Sequence, residues 1–478
     1  MELRKHKYRD LATNTLIFTI SSFASKLLVF FLVPLYTSVL STEEYGFADL
    51  ISTTASLLIF ILTLNISDSV LRFAIDRTEG QENILSYGLK IQINGTILLS
   101  VVLLIIDRLH VFVIDSYYYI FLLLLFFFNA IHQTASNYLR AINKLKAVAI
   151  SGVVQTLTII CSNIFFLLVL KIGVKGYILS ILLGSIVSTL YSFLNFDTSL
   201  LVIIKSKCDK STRNEMIKYS VPLIFNSVAW WMNNSIDKYF LISILNASAN
   251  GLYAVSYKIP SILTMVNQIF AQAWSLSAIK EFDKNDKDGF FAQIYSLYNA
   301  TMVICCSILI ILNVFLARIM YAKDFFDAWN YTSPLLISII FSALSSFIGS
   351  IFAAVKNSKI FAVSTVGAAF INILFNAILI PIIGVQGAAI ATAISFFSIW
   401  AIRLVCVRKY IKLKINIKRD AFSYVLLGMQ AIIEHYNNHN YIIQFAIIMI
   451  LLFLYRNEMG NIINKIESII KIKRNEKK

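Results

Sequence analysis

The sequence has few charged residues for its length. Only 14% of its 478 residues are Asp, Glu, Lys or Arg, whereas soluble proteins average about 25%. Hydrophobic residues make up 58%, and the mean hydropathy is +0.74. Short polar connectors cut the apolar runs, so no stretch remains from which a sizeable soluble domain could be built. The composition excludes a soluble enzyme and predicts an all-α polytopic membrane protein.

Cysteines and processing signals are also scarce. The first apolar stretch is longer than the core of a signal peptide and lacks a small-residue cleavage site, so we expect no cleaved leader. None of the five cysteines is placed for a disulfide or a zinc site, and we expect neither a metal nor a cofactor. They fall in apolar runs or on the predicted inner side, at Cys161, Cys208, Cys305, Cys306 and Cys406.

Apolar runs of membrane-spanning length recur along the whole chain. A helix needs about 20 apolar residues to cross roughly 30 Å of hydrocarbon. The last two runs are short and interrupted, so the pattern predicts a twelve-helix core with a weaker pair appended. The resulting set of about fourteen transmembrane helices is 13–38, 47–67, 84–106, 117–139, 147–170, 176–196, 219–243, 251–274, 292–316, 331–354, 361–380, 387–407, 421–433 and 441–455.

Lysine and arginine are unevenly distributed over the connectors. With a cytoplasmic N-terminus, 32 of the 42 basic residues lie on the inner side and five on the outer side. Because inner connectors are the basic ones, the sequence predicts a multi-pass membrane protein with both termini in the cytoplasm. The same distribution accounts for the net charge of +16. No nucleic-acid partner is expected, since the charges are scattered and form no single patch.

Two short segments recur at equivalent places in the two halves of the chain. The matched pairs are 38–53 with 243–258, which places Gly46 over Gly251, and 172–176 with 383–387. They fall at the turn between the first and second helices of each half and at the turn between the fifth and sixth. Parallel repeats of this kind commonly enclose a substrate path.

The repeats predict the domain organisation. We expect an N-terminal lobe at 1–210 with helices 1–6 and an inner loop, and a C-terminal lobe at 211–415 with helices 7–12. Residues 416–478 would hold helices 13–14 and a basic cytoplasmic tail.

Polar side chains inside the predicted spans mark the expected path. Helix–helix hydrogen bonding is the alternative use of such residues. For a stripe around His132 in the fourth span, neither interpretation is favoured. Charged residues favour a cavity for the seventh and eighth spans, whose polar side chains recur at helical spacing. These are Asn226, Trp230, Asn233 and Asp237 in the seventh, and Lys258, Ser261, Thr264, Gln268 and Gln272 in the eighth.

Basic residues within the spans differ in depth. Lys90 and Arg403 lie near the inner ends of their helices, so their charges are expected to reach the cytoplasm. Lys26 and Lys258 lie deeper, where a charge is costly unless it is hydrated or paired. Asp237 is the only central acid, which leaves a positive excess suited to an anionic substrate. We expect Asp237 to pair with Lys258 when the cavity is empty.

Four stretches carry a resemblance to a known family. They are Ser25-Lys26 with the following VPLYTSVLSTEEYG, VLRF with Arg72, IDKYFLISILNASANGLYAVSYKIP, and NILFNAILIPIIGVQGAAIATAIS. Together they resemble the bacterial polysaccharide-repeat flippases, the oligosaccharide-exporting branch of the multidrug/oligosaccharidyl-lipid/polysaccharide superfamily. The resemblance spans helices 1–12 and implies a V-shaped bundle of two six-helix lobes in a bacterial inner membrane. It implies a transporter and no enzyme.

The resemblance also implies a substrate and a mechanism. Such a protein would move a polyprenyl-pyrophosphate-linked oligosaccharide repeat unit from the inner to the outer leaflet by alternating access, for surface polysaccharide assembly. A gradient of H⁺ or Na⁺, or the membrane potential, would drive it. Expected partners are this lipid, the bilayer, and the polymerase and chain-length machinery of the same pathway. The candidate substrate-binding residues are Lys26, Arg72, Asn226, Asn233, Asp237, Lys258, Gln268 and Gln272.

Other functions stay open at this point. A drug/cation antiporter of the same fold would carry membrane carboxylates for coupling, and Asp237 is the only central one. A lipid II-type flippase would be richer in arginine in its first helix, where Lys26 stands alone. A membrane polymerase or glycosyltransferase would present a large external loop, whereas the longest outer connector has about 14 residues. A spore- or division-specific member of the superfamily is the remaining alternative.

Overall fold

A computed structural model describes residues 30–77, 79–110, 115–355, 357–436, 440–458 and 460, and these residues contain helices and no strands. A π-helical turn, Ile164–Val169, extends α6, and a 3₁₀ helix, Lys323–Tyr331, precedes α13. The α-helices are α1 Val33–Val39, α2 Thr42–Leu62, α3 Ile66–Asp76, α4 Gln81–Arg108, α5 Ser116–Ala141, α6 Leu145–Asn163, α7 Gly173–Leu194, α8 Leu200–Lys205, α9 Lys210–Ile244, α10 Ala247–Ser256, α11 Pro260–Lys280, α12 Phe290–Met320, α13 Thr332–Ala354, α14 Ser358–Ile383, α15 Val385–Val407, α16 Ile417–Tyr436 and α17 Tyr441–Leu454.

Nine helices in the described part of the chain are long and apolar enough to cross a membrane. They correspond to the second to sixth and the ninth to twelfth predicted spans. Most of the first predicted span lies outside the described residues, α9 carries polar residues along its length, and the eighth span is broken into α10 and α11. The prediction of an all-α polytopic membrane protein is confirmed, and the count of fourteen stays a prediction.

The chain divides into two compact units. The first contains Met1–Ser235 and Asn246–Gly251, and the second contains Ile236–Leu245 and Leu252–Lys478. One boundary therefore falls inside α9. The predicted lobe division at 210/211 stays a prediction.

Local chemistry sets the helix boundaries in the first unit. Ser41 accepts from the amide of Glu44 at 3.1 Å, while the Glu44 carboxylate accepts from the amide of Ser41 at 2.9 Å, so a capping box begins α2. Leu64 and Asn65 adopt left-handed backbone conformations and separate α2 from α3. At the start of α9, hydrogen bonds from the Thr212 hydroxyl and amide stabilise the ionised form of Asp209 and lower the pKa of that carboxyl.

The two turns matched by the repeat contact each other within the first unit. A Cβ built on Gly46 would lie 2.0 Å from the carbonyl oxygen of Ala247, and one built on Gly251 would lie 1.9 Å from that of Thr42. Thr42 is equivalent to Ala247 in the repeat, so the contact is reciprocal. The Thr42 and Ser248 hydroxyls are hydrogen-bonded at 2.7 Å. Glycine is needed at both positions because the helix backbones touch.

Aromatic side chains fill the interior of the second unit. The rings of Trp274 and Phe347 stack with their centroids 4.1 Å apart, and those of Phe270 and Tyr298 stack at 3.8 Å. The Trp274 indole donates to the carbonyl of Phe347 at 3.0 Å. This stack joins α11, α12 and α13, and the indole N–H is satisfied where no water is expected.

The side chain of Arg403 does not lie where the sequence predicts. Its side chain is 0% exposed, so the expectation that its charge reaches the cytoplasm is wrong. The guanidinium donates to Ser364 at 3.0 Å, to Thr365 at 2.9 Å and to the Ser345 carbonyl at 2.9 Å, and it lies over the ring of Phe361. The charge is stabilised by neutral oxygens from α13 and α14, because the residue faces neighbouring helices and not lipid.

The last two helices belong to the second unit. Arg419 at the start of α16 donates to Asp420 at 3.0 Å, to Glu458 after α17, and to Ser296 of α12 at 3.0 Å. Farther along α16, the Glu434 carboxylate accepts from Asn313 of α12 at 2.7 Å. These buried polar contacts hold α16 and α17 against α12.

We predict that Gly46→Ala destabilises the protein. The new methyl group would overlap the Ala247 carbonyl, and overpacking of this kind costs about 1–3 kcal/mol. Gly152→Ala is the matched control, because nothing lies within 4 Å of its Cβ position. Thermal unfolding of purified protein should show a lower apparent Tm for Gly46→Ala alone. Equal Tm values for the two variants would contradict the observed contact.

Cysteine labelling tests the predicted orientation. Asn246 and Lys287 are both exposed and lie in connectors predicted to face opposite sides of the membrane. In a background without the five native cysteines, an impermeant thiol reagent added outside intact cells should modify Asn246→Cys and spare Lys287→Cys. Lysed cells should show labelling at both positions. The opposite pattern in intact cells would reverse the topology.

Candidate functional site

The polar stripe of α9 divides between the two units. Asn226 and Asn233 belong to the first unit, and Asp237 belongs to the second. Asn233 is fully buried and donates to the Ala229 carbonyl at 2.8 Å. The Oδ1 atom of Asn226 is buried without a hydrogen-bond partner among the described residues. Such an atom is available to a ligand or to water.

Asp237 is the centre of a buried hydrogen-bond network in the second unit. Its carboxylate accepts from the hydroxyl of Tyr253, from the hydroxyl of Thr392 at 3.1 Å, and from the amide of Lys238 at 3.0 Å. The Tyr253 hydroxyl is also 3.2 Å from that of Tyr257. Since a buried acid is costly without partners, these bonds from α9, α10 and α15 allow Asp237 to lie inside the protein.

Sequence reasoning did not identify the hydroxyl partners of Asp237. Tyr253 and Tyr257 are four residues apart, a spacing that places both on one helical face. That spacing was the available signal. Thr392 lies in the segment GAAIATAIS, one of the stretches that carry the family resemblance, and nothing in that segment indicates a contact with Asp237.

Lys258 lies in a break between two helices. Residues 257–259 form a turn between α10 and α11, and Pro260 begins α11. Proline lacks an amide hydrogen and cannot continue the helical pattern. The Val255 carbonyl accepts from the Lys258 amide at 2.9 Å and from the Tyr321 hydroxyl at 3.1 Å. The Ser256 carbonyl, four residues before the proline, accepts from the Thr332 hydroxyl at 3.5 Å. Broken helices of this type form substrate and ion sites in many transporters.

The remaining predicted site residues are spread over both units. Arg72 is 58% exposed in the first unit and pairs with Asp76 at 3.2 Å, a weak type of contact at an exposed position. In the second unit, Gln268 is exposed and Gln272 is half-buried on α11, the helix that follows Lys258. Lys26 lies outside the described residues. The structure thus brings together Asp237, Tyr253 and the break that contains Lys258.

The described residues contain no group of three His, Cys, Asp or Glu side chains suited to a metal ion. Besides Asp237 and Asp420, Glu434 is a third buried acid among the described residues, with hydrogen bonds from Asn313 and Ser333. It lies one residue beyond the predicted end of the thirteenth span, and for this reason the sequence did not reveal it. Asp237 and Glu434 are bound by uncharged donors, whereas Asp420 is bound by Arg419.

A family comparison identifies the class of protein. The sequence profile of the family described as polysaccharide biosynthesis protein matches residues 11–275, more than half of the chain. The protein belongs to this family.

Two curated relatives come from archaea. The chain is 24% identical over 286 residues to the uncharacterized membrane protein MJ1375 of Methanocaldococcus jannaschii, and 24% identical over 273 residues to the probable low-salt glycan biosynthesis flippase Agl15 of Haloferax volcanii. Each match covers 55% of this chain, and they cover 65% and 54% of the two relatives. The chain therefore matches less than two thirds of either relative's length.

A solved structure shares the fold along almost the whole chain. The lipid II flippase MurJ in an inward closed conformation superimposes with a TM-score of 0.71 at 16% identity, covering 94% of this chain and 99% of that one. At this identity the likeness concerns the fold alone. Family and fold confirm the prediction of an all-α membrane protein that belongs to a polysaccharide biosynthesis family.

The pairing of Asp237 with Lys258 stays a prediction, and a double-mutant cycle tests it. We expect the effects of Asp237→Asn and Lys258→Gln on transport to be non-additive, because groups in contact share their interaction energy. Asparagine keeps an oxygen that can accept from Tyr253 and Thr392, so the variant should fold. Transport is measured for both single variants and the double variant. Strictly additive effects would argue against a direct pair.

Proposed function

We propose that the protein is a flippase for a polyprenyl-pyrophosphate-linked oligosaccharide repeat unit, which it moves from the inner to the outer leaflet by alternating access. The product would serve surface polysaccharide assembly. The protein would act in the cytoplasmic membrane, with both termini in the cytoplasm, beside the polymerase and chain-length machinery. Membership in the polysaccharide biosynthesis family and the fold shared with a lipid II flippase support this proposal.

The position of Lys258 is the observation that carries the proposal. The lysine lies in the turn between α10 and α11, within the eighth predicted span, where a helix would otherwise be continuous. A pyrophosphate carries about two negative charges, and its attraction to an ammonium group is strengthened in a medium of low dielectric constant. Half-burial of Lys258 leaves part of its side chain accessible to such a ligand.

Lys26 is the second cation of the proposed phosphate site. It lies in the part of the chain matched by the family profile, and its place near the middle of the first predicted span is deep for an orientation signal. The two lysines come from different halves of the repeat. A substrate bound by both would be held by both halves during alternating access, and the acid at Asp237 would compete with its phosphate for Lys258.

Variants of the two lysines test the proposal. Losing one phosphate contact should cost on the order of 1.5–3 kcal/mol, the range for hydrogen bonds to charged groups, or roughly a tenfold or greater loss of affinity. Lys26→Ala and Lys258→Ala should abolish export. Replacement by Arg should preserve part of it, since the charge remains while the geometry differs. Surface polysaccharide is measured in a strain that lacks the chromosomal copy.

Lys287→Ala is the matched control, because Lys287 is an exposed lysine in the connector between α11 and α12. It should export normally, and immunoblots of membrane fractions should show equal amounts of all variants. Arg403→Ala is unsuitable as a control, since Arg403 is buried and hydrogen-bonded. Normal polymer from the double variant Lys26→Ala/Lys258→Ala would remove the phosphate site from this proposal.

A further inference from the structure

A cavity of ≈ 610 Å³ lies where α15 ends and α16 begins. This volume is within the usual range for small-ligand sites. Its wall combines apolar side chains, among them Leu404 and Leu413, with three basic ones, Arg408, Lys412 and Lys414. The three basic side chains are exposed.

The chain between the two helices alternates between apolar and polar residues. Residues 411–417 read IKLKINI, and 411–416 are not helical. Exposed Lys412 and Lys414 alternate with apolar side chains that are buried or half-buried, so basic and apolar groups are distributed along the whole segment. The amide of Lys412 donates to the carbonyl of Lys284 at 3.1 Å, which ties the segment to the connector after α11.

Among the described residues, no acid pairs with these three basic side chains. The sequence itself has no Asp or Glu between Asp327 and Asp420. Within the described residues, Arg408, Lys412 and Lys414 form neither an ion pair nor a side-chain hydrogen bond. Glu458 lines a smaller neighbouring cavity together with Lys414, but its carboxylate is bound by Arg419.

The cavity lies at one end of a candidate membrane span. α15 is long and apolar enough to cross a membrane, and Leu404 and Val407 in its last turn line the cavity. Val405 in the same turn and Ile417 at the start of α16 are exposed, as expected for side chains that meet lipid. The basic groups are thus next to hydrocarbon, at the end of the helix predicted to face the cytoplasm.

We propose that this cavity binds the headgroup of an anionic phospholipid. Its phosphate would be held by Arg408, Lys412 and Lys414, and the glycerol and first acyl carbons would contact the apolar wall. Basic pockets beside transmembrane helices are suited to anionic lipid headgroups. The free substrate pyrophosphate and small anions lack the apolar part that Leu404 and Leu413 would contact. This site is separate from the one proposed at Lys258 and does not depend on transport.

Lipid-dependent stability tests the site. Purified protein in neutral detergent is titrated with short-chain phosphatidylglycerol, short-chain phosphatidylcholine or inorganic phosphate, and thermal unfolding is followed. A ligand that binds only the folded state raises the Tm as its concentration exceeds the Kd. Phosphatidylglycerol should stabilise the wild-type protein, and the other two should not. Equal stabilisation by phosphatidylcholine or by phosphate alone would overturn the proposal.

Two triple variants that remove the same number of charges test whether phosphatidylglycerol binds at this cavity. In Arg408→Gln/Lys412→Gln/Lys414→Gln the apparent Kd for phosphatidylglycerol should rise roughly tenfold or more, because each cation near an anionic headgroup contributes to attraction. Lys205→Gln/Lys207→Gln/Lys210→Gln removes the same charge from the end of α8, the following connector and the start of α9, and this variant should bind like wild type. The single variant Lys412→Gln should show a partial loss even if the triple variant does not fold. Unchanged affinity in Lys412→Gln and the triple variant would exclude the site.

Discussion

Hydrocarbon offers no hydrogen bonds, so every polar group inside a membrane span must find its partner within the protein. This constraint explains why the described chain is helical throughout, since a helix satisfies its own backbone. It also explains the buried polar side chains. Arg403 is surrounded by hydroxyl and carbonyl oxygens, and Asp237 and Glu434 are each surrounded by uncharged donors. Each of these groups is buried together with donors or acceptors from neighbouring helices.

The same constraint gives the break at Lys258 its significance. Pro260 leaves the Ser256 carbonyl without an amide donor, which is costly in a membrane, and the Thr332 hydroxyl donates to that carbonyl at 3.5 Å. The Tyr321 hydroxyl donates to the neighbouring carbonyl of Val255. Residues remote in sequence thus support an irregular backbone, which is expected where the chain lines a site. Tyr253, which donates to Asp237 of α9, lies on α10 just before the break, and its neighbour Tyr257 lies in the break itself. A cation at this position is the feature on which the proposed function depends.

Much of the fold was predictable because the membrane imposes a length and a polarity on each helix. The spans followed from apolar run lengths, and the alignment of Gly46 with Gly251 identified two turns that contact each other. Arg403 was misplaced because its distance from a helix end does not show whether it faces lipid or another helix. The roles of Tyr253 and Thr392 also depend on which helices are neighbours. Those neighbours are set by tertiary packing, which a single sequence does not encode in any local pattern.

The central claim is that the protein moves a pyrophosphate-linked glycolipid across a bilayer. Purified protein is reconstituted in liposomes with a fluorescent polyprenyl-pyrophosphate oligosaccharide in both leaflets, and a membrane-impermeant quencher is added outside. With wild-type protein and the driving ion gradient or potential, we predict that nearly all fluorescence becomes quenchable, whereas about half stays protected with Lys258→Ala. A protected half that persists with folded wild-type protein under every gradient tested would contradict the account.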